Sequence, residues 1–275
     1  GQAATLLLVR DGSSATEVSA LVPGAEPVIV ADPAHLLTAS EDDRRHSTGL
    51  LAAVGVSGDA VAVAVRAWDF FEGQEALAAR LARALDKLPR EWPIVFVPCQ
   101  WGSGADDRAF SERIRGPLSG RATAIVEVAT GGQAIALFER MALVVSARNH
   151  GVLLAGCAGV PAVALSYDPK VSASAEALGH GPLTQGLGEL GQLPKVVDRA
   201  RGRRDEWVQT IADRRAGLAE RQEGAFAAVD RLLAGERSVR VGGASPRAVT
   251  PRLVDRVPPP LRRTLRALRA RVRGR

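Results

Sequence analysis

The chain is short of almost everything that would tie its fold to covalent or metal chemistry. Only two of its 275 residues are cysteine, Cys99 and Cys157, with no Cys-x-x-Cys pair, and both stand in apolar text. That leaves no multi-disulfide framework and no zinc spacing, and reads as two small core residues of a cytosolic protein, with a single disulfide or a catalytic thiol as the alternative. No apolar run approaches the ~18 residues of a membrane span, and no secretory leader opens the sequence. It begins at Gly1 rather than Met, as a fragment or processed chain would. Lysine is nearly absent: Lys87, Lys170 and Lys195 stand against 33 arginines.

The charge is unevenly placed. Residues 236–275 hold 12 arginines and two acids, whereas residues 1–235 hold 24 basic and 28 acidic groups. A mildly acidic body with a basic appendage gives no reason to expect a nucleic-acid-binding fold, whatever the pI of 10.2 implies. Residues 236–260 carry no core-forming period and are expected to be flexible. Leu261, Leu265, Leu268 and Val272 then share one helical face among seven arginines. This fits a helix lying on an anionic membrane surface, with a disordered soluble tail as the alternative.

What is there is alternation. Apolar runs at 60–66, 93–99, 123–128, 143–147 and 162–167 read as strands. Helical patterns at 73–88, 106–114, 133–140, 150–158 and 171–178 separate them. Continuous apolar strands alternating with helices predict an α/β fold, a Rossmann-like parallel sheet with helices on both faces. A strand at 5–10, a helix at 13–21 and a strand at 27–31 precede it, and the polar run 39–50 reads as a linker. A long amphipathic helix over 205–233 is expected to cross back over the body. The expected organisation is therefore a remnant lobe and linker (1–50), a donor-binding lobe (51–235) and the basic tail (236–275).

Ligands of open α/β sheets bind at the carboxyl ends of the strands. Three of those ends carry chemistry. Arg66 follows VAVAV, with Trp68 and Asp69 able to pack and orient it. Arg148 and His150 lie two apart across a strand-to-helix turn, and Lys170 follows SYDP. Arginine offers a planar fork and lysine a compact point charge. An imidazole, with an ordinary pKa of about 6.5, can move a proton near neutrality. The set describes a pocket for a small, multiply charged anion. His35, His46 and His180 read as ordinary loop residues. Asp42-Asp43 and Asp106-Asp107 have oxygen ligands for Mg²⁺ but read as solvated loop carboxylates. None of the glycine clusters completes a nucleotide-binding pattern. Gly131-Gly132 opens a helix whose N–H groups could hold an anion.

These words resemble the polysaccharide pyruvyl transferase family: VRD with a following Ser (Val9–Ser13), ADPAHLL (Ala31–Leu37), VAVRAW (Val63–Trp68), and VFVPCQ (Val95–Gln100) with Asp106 and Asp107. The most specific is LVVSARNHGVLLAGCAGVPAVALSYDPKV, with the family's Arg-x-His pair and Tyr-Asp-Pro-Lys run. The resemblance implies one lobe of a two-lobed, B-type glycosyltransferase-like fold with the N-terminal lobe largely missing, because the family's Gly-rich opening segment is absent. It departs from the family at Asn149, which stands where an apolar residue is usual. It implies transfer of the enolpyruvyl group of phosphoenolpyruvate to hydroxyls of a sugar or lipid-linked saccharide acceptor. The expected location is cytoplasmic, or peripheral on the inner face of the cell membrane where the basic tail binds it. His150 and Arg148 would be catalytic, and Arg66, Arg148 and Lys170 would hold the substrate. No cofactor is assigned, and Mg²⁺ dependence is left open. The alternatives are a nucleotide-sugar glycosyltransferase and a non-catalytic anion-binding module.

Overall fold

The computed structural model describes residues 7–67, 73–100, 106–118 and 120–233. Two compact units part after Ile29. In the first, β1 (Leu8–Val9) pairs in parallel with β2 (Val28–Ile29), and α1 (Gly12–Leu21) connects them. The Asp11 side chain caps α1 by accepting the Ser14 N–H at 2.7 Å. The hydrogen bonds it accepts there keep its carboxyl below the usual range despite partial burial.

The second unit is built on one six-stranded parallel sheet: β3 (Val61–Ala64), β4 (Ile94–Phe96), β5 (Thr123–Ile125), β6 (Leu143–Ser146), β7 (Ala162–Ser166) and β8 (Gln185–Gly186). Between them lie α3 (Gln74–Leu85), α4 (Asp107–Arg115), α5 (Gly131–Phe138), α6 (Asn149–Cys157) and α7 (Pro169–Ala177). The unit begins with α2 (Glu41–Ala53) and ends with α8 (Leu193–Gly202) and α9 (Arg204–Leu233). The spatial order is β5-β4-β3-β6-β7-β8, every neighbour parallel. The chain starts in the middle, winds outward to β5, then returns to β6 on the other side of β3. This is the doubly wound dinucleotide-fold order, with its topological switch between β3 and β6.

Side chains alternate across a strand, so the central strands feed two cores. Val61, Val63, Ile94, Phe96 and Val145 meet α3, α4 and α8 through Leu81, Phe110, Ile114 and Val197. Ala60, Ala62, Val95, Val144 and Ala164 meet α5, α6 and α7 through Phe138, Val152, Ala155 and Val171. Burial on both faces is why these strands read as unbroken apolar runs. The predicted α/β architecture with helices on both faces is what the structure has. The long C-terminal helix does cross the body. On α9, Arg215 donates to the Leu37 carbonyl at 3.0 Å and Gln222 accepts the Ala31 N–H at 3.3 Å.

The expected linker is corrected. Residues 41–53 form α2, started by a Ser40–Asp43 capping box and three acids in the first turn. Its polarity belongs to an exposed face, while Ser47 and Leu51 are buried. Cys157 is a core residue as expected, but Cys99 is exposed just beyond β4. Trp68 and Asp69, the expected neighbours of Arg66, and the whole basic tail lie outside the described residues.

Candidate active site at the sheet switch point

Parallel pairing fixes where the expected site residues stand. Ala64 and Ser146 are register partners at the ends of β3 and β6. Arg66 and Arg148 each come two residues later, so they leave adjacent strands at the same level, on the two sides of the switch. His150 opens α6, and Lys170 opens α7 after the next strand, β7. Strands lie about 4.8 Å apart, so the edge from β3 to β7 is only about 10 Å wide.

The chain crosses from strand to helix here by a local lock. Ser146 is fully buried. Its Oγ accepts the Arg148 N–H at 3.0 Å and lies 2.8 Å from the Arg148 carbonyl and 3.1 Å from the Ala64 carbonyl. Gly151 makes the close approach of α6 possible, since a Cβ there would lie 2.2 Å from Ser146 Oγ. This seats the first turn of α6 on the sheet edge. The neighbouring helices α4, α5 and α7 have their first N–H groups capped by Asp106, Thr130 and Asp168. No side chain caps α6, whose N-cap is Arg148 itself. Its first turn therefore offers backbone donors and positive potential beside Arg148 and His150.

The side chains differ in how they are held. Arg148 is 13% exposed and pairs through Nε and Nη2 with the carboxylate of Asp107, which is 1% exposed; the Nε–Oδ2 distance is 2.9 Å. Its Nη1 donates to Gln100 Oε1 at 2.9 Å. Of the five guanidinium N–H groups, two remain, one on each Nη. Lys170 is looser: its Nζ lies 3.3 Å from Asp168 Oδ2, with the side chains 40% and 30% exposed. Arg66 is half-buried and His150 is exposed, so the imidazole faces solvent rather than the core.

Several expectations are corrected. Asp107 is not a solvated loop carboxylate but a fully buried residue of α4, and its partner is 41 positions away. The only sequence signal for it was an acidic pair at a helix start. His35 and His180 are buried rather than in open loops. Burial lowers the pKa of both, that of His180 to about 4. The start of α5 is not open to an anion, because a Cβ on Gly132 would lie 2.5 Å from Asp43 Oδ2. That carboxylate also accepts from Ser40, which holds its pKa below the usual range. Among the described residues no cluster of three His, Cys, Asp or Glu has the arrangement to hold a metal ion, and no helix is long and apolar enough to cross a membrane.

The pattern for polysaccharide pyruvyl transferases matches residues 1–169, well over half of the chain. The chain belongs to the polysaccharide pyruvyl transferase family. Arg66, Arg148 and His150 lie inside the matched stretch and Lys170 directly follows it. No curated protein matches the chain. Among solved structures, the UDP-GlcNAc 2-epimerase of Methanocaldococcus jannaschii, in complex with UDP-GlcNAc and UDP, is similar at TM-score 0.54 and 11% identity. It covers 72% of this chain, and 54% of that chain is covered. The UDP-GlcNAc 2-epimerase of Neisseria meningitidis, bound to UDP-GlcNAc, gives 0.53 and 13%, with 79% and 58% covered. The chain thus spans little more than half the length of the structures it matches. The likeness is one of fold, an α/β architecture of the B-type glycosyltransferase-like kind.

Proposed function

We propose that the chain binds phosphoenolpyruvate at the β3–β6 switch and transfers its enolpyruvyl carbons to two hydroxyls of a cell-surface saccharide or its precursor, releasing phosphate. The observation that carries the reading is the shared register of Arg66 and Arg148 beside an uncapped helix start that bears an exposed histidine. A ligand with a carboxylate at one end and a phosphate at the other needs donors on both sides of such a crevice. Arg66 and the two spare N–H groups of Arg148 suit these ends, and Lys170 suits the phosphate. Each charge-assisted hydrogen bond contributes about 1.5–3 kcal/mol.

The chemistry needs a proton delivered to the methylene carbon. One acceptor hydroxyl then bonds to the central carbon, the carbon–phosphate oxygen bond breaks, and a second hydroxyl closes the ketal. One hydroxyl proton replaces the proton spent on the methyl group, and the other leaves with phosphate. His150 is the proton donor, and the first hydroxyl returns its proton to it. The α6 N–H groups and Arg148 stabilise charge on the donor.

Phosphate release from phosphoenolpyruvate, measured over a panel of free and lipid-linked saccharides, tests this. Acceptor-dependent release with formation of a ketal methyl group is expected. A protein that is stabilised against heat by a UDP-sugar but not by phosphoenolpyruvate would instead be a nucleotide-sugar enzyme.

A further inference from the structure

The pairing of Arg148 with Asp107 asks more of the fold than anion binding does. A fully buried carboxylate is costly, and an apolar residue of the same volume would pack at less expense. Yet Asp107 sits on the helix after β4 and reaches Arg148 after β6, with β3 between them. Its own position is fixed from every side. Its N–H donates to the Gln100 carbonyl at 3.0 Å, and its Oδ2 accepts the Cys99 N–H at 3.2 Å. The preceding residue, Asp106, accepts the Arg108 and Ala109 N–H groups at 2.8 and 3.1 Å.

Two oxygens of Asp107 and one of Gln100 define the plane of the Arg148 guanidinium. Three donors are consumed, and only one N–H on each Nη is left to read a ligand. With Asp107 as its counter-ion, Arg148 brings two charge-assisted N–H groups to the donor in a fixed direction. The adjustable cation is Lys170, whose contact with Asp168 is longer and open to water.

We propose that Asp107, assisted by Gln100, is a positioning residue that sets the orientation of Arg148 for the donor. The proposal rests on the donor reading above. It does not require Asp107 to touch the ligand.

The test is a double-mutant cycle on the full chain, read by calorimetric binding of phosphoenolpyruvate and by the ¹⁵N–¹H signal of the Arg148 Nε. Asp107→Asn should weaken binding about tenfold or more, and Arg148→Gln at least as much. The double variant should bind no worse than Arg148→Gln alone, since a positioning residue has nothing left to position. The Arg148 Nε signal, sharp and slow to exchange in the wild type, should broaden or vanish in Asp107→Asn. If Asp107→Asn does not fold, the exposed Gln100→Leu carries the same cycle. It should weaken binding about threefold, and that effect should disappear in the Arg148→Gln background. Additive losses, or an unchanged Nε signal in a variant of unchanged affinity, would overturn the positioning role and leave the donor reading intact. A wild-type chain with an ordered Nε signal that binds no phosphoenolpyruvate would overturn the donor reading instead.

Discussion

The two edges of the six-stranded sheet each hold a largely buried arginine and a histidine, and they surround them differently. At the amino edge Arg121 spends its terminal nitrogens on the carbonyls of Leu88, Pro89 and Trp92, two of those bonds at 2.8 and 2.9 Å. It staples the turn before β4 and has no carboxylate partner there. His180 is sealed beneath the start of β7, where its Nδ1 accepts the Ala162 N–H at 3.4 Å. At the carboxyl edge Arg148 keeps two N–H groups in reserve and His150 stands in solvent. The two guanidiniums each spend three N–H groups, so hydrogen-bonding capacity does not distinguish them. What separates the edges is partner and exposure: Arg121 faces backbone carbonyls and His180 is sealed, whereas Arg148 faces a carboxylate and His150 is exposed.

The comparison can be broken most severely at Arg148. Arg148→Ala should abolish phosphoenolpyruvate binding and also destabilise the protein by about 3–5 kcal/mol, because Asp107 is left buried without its cation. Urea unfolding alongside calorimetry reads both losses, and a variant of wild-type stability would contradict the pairing.

His180 comes next. Its folded pKa of about 4 lies below the ordinary 6.5, so the unfolded chain takes up the proton first as the pH falls. Its contribution is therefore complete above about pH 6.5, declines as the pH falls toward 4, and amounts to about 3 kcal/mol over that window. Unfolding free energies measured from pH 7 to pH 4 should show this slope, and His180→Asn should flatten it.

Arg121→Met should cost about 1–3 kcal/mol through the carbonyls it strands, with donor affinity within twofold of wild type. A large loss of affinity would mean that the two edges are not separable. The smallest effect on stability belongs to His150→Ala. It should unfold within about 0.5 kcal/mol of wild type, as exposed positions do, while turnover disappears and donor binding largely survives. Retained turnover would remove the proton-transfer role.

The legibility of the sequence follows the same division. Strands β3, β4, β6 and β7 could be read because burial on both faces leaves no polar interruption. The place of Arg66, Arg148, His150 and Lys170 at the carboxyl edge could be read because they punctuate the ends of those runs. The edge strand β8, a Gln-Gly pair, has no apolar signal to find. Helix α2 hid behind its charged face. Helix α8 is legible only in the helical spacing of Leu193, Val196, Val197 and Ala200, all buried. Asp107 was out of reach for a different reason. Its character is set by a partner on another strand, and nothing within its own segment separates a capping acid in water from the counter-ion of a buried guanidinium.

The self-capping of the helices has a consequence for selectivity. By seating Asp106, Asp43 with Thr130, and Asp168 over three helix starts, the chain denies those berths to stray phosphate. A metabolite rich in negative charge meets closed doors at those three helix starts, whereas the start of α6, beside Ser146 and Gly151, has no side chain over its first N–H groups.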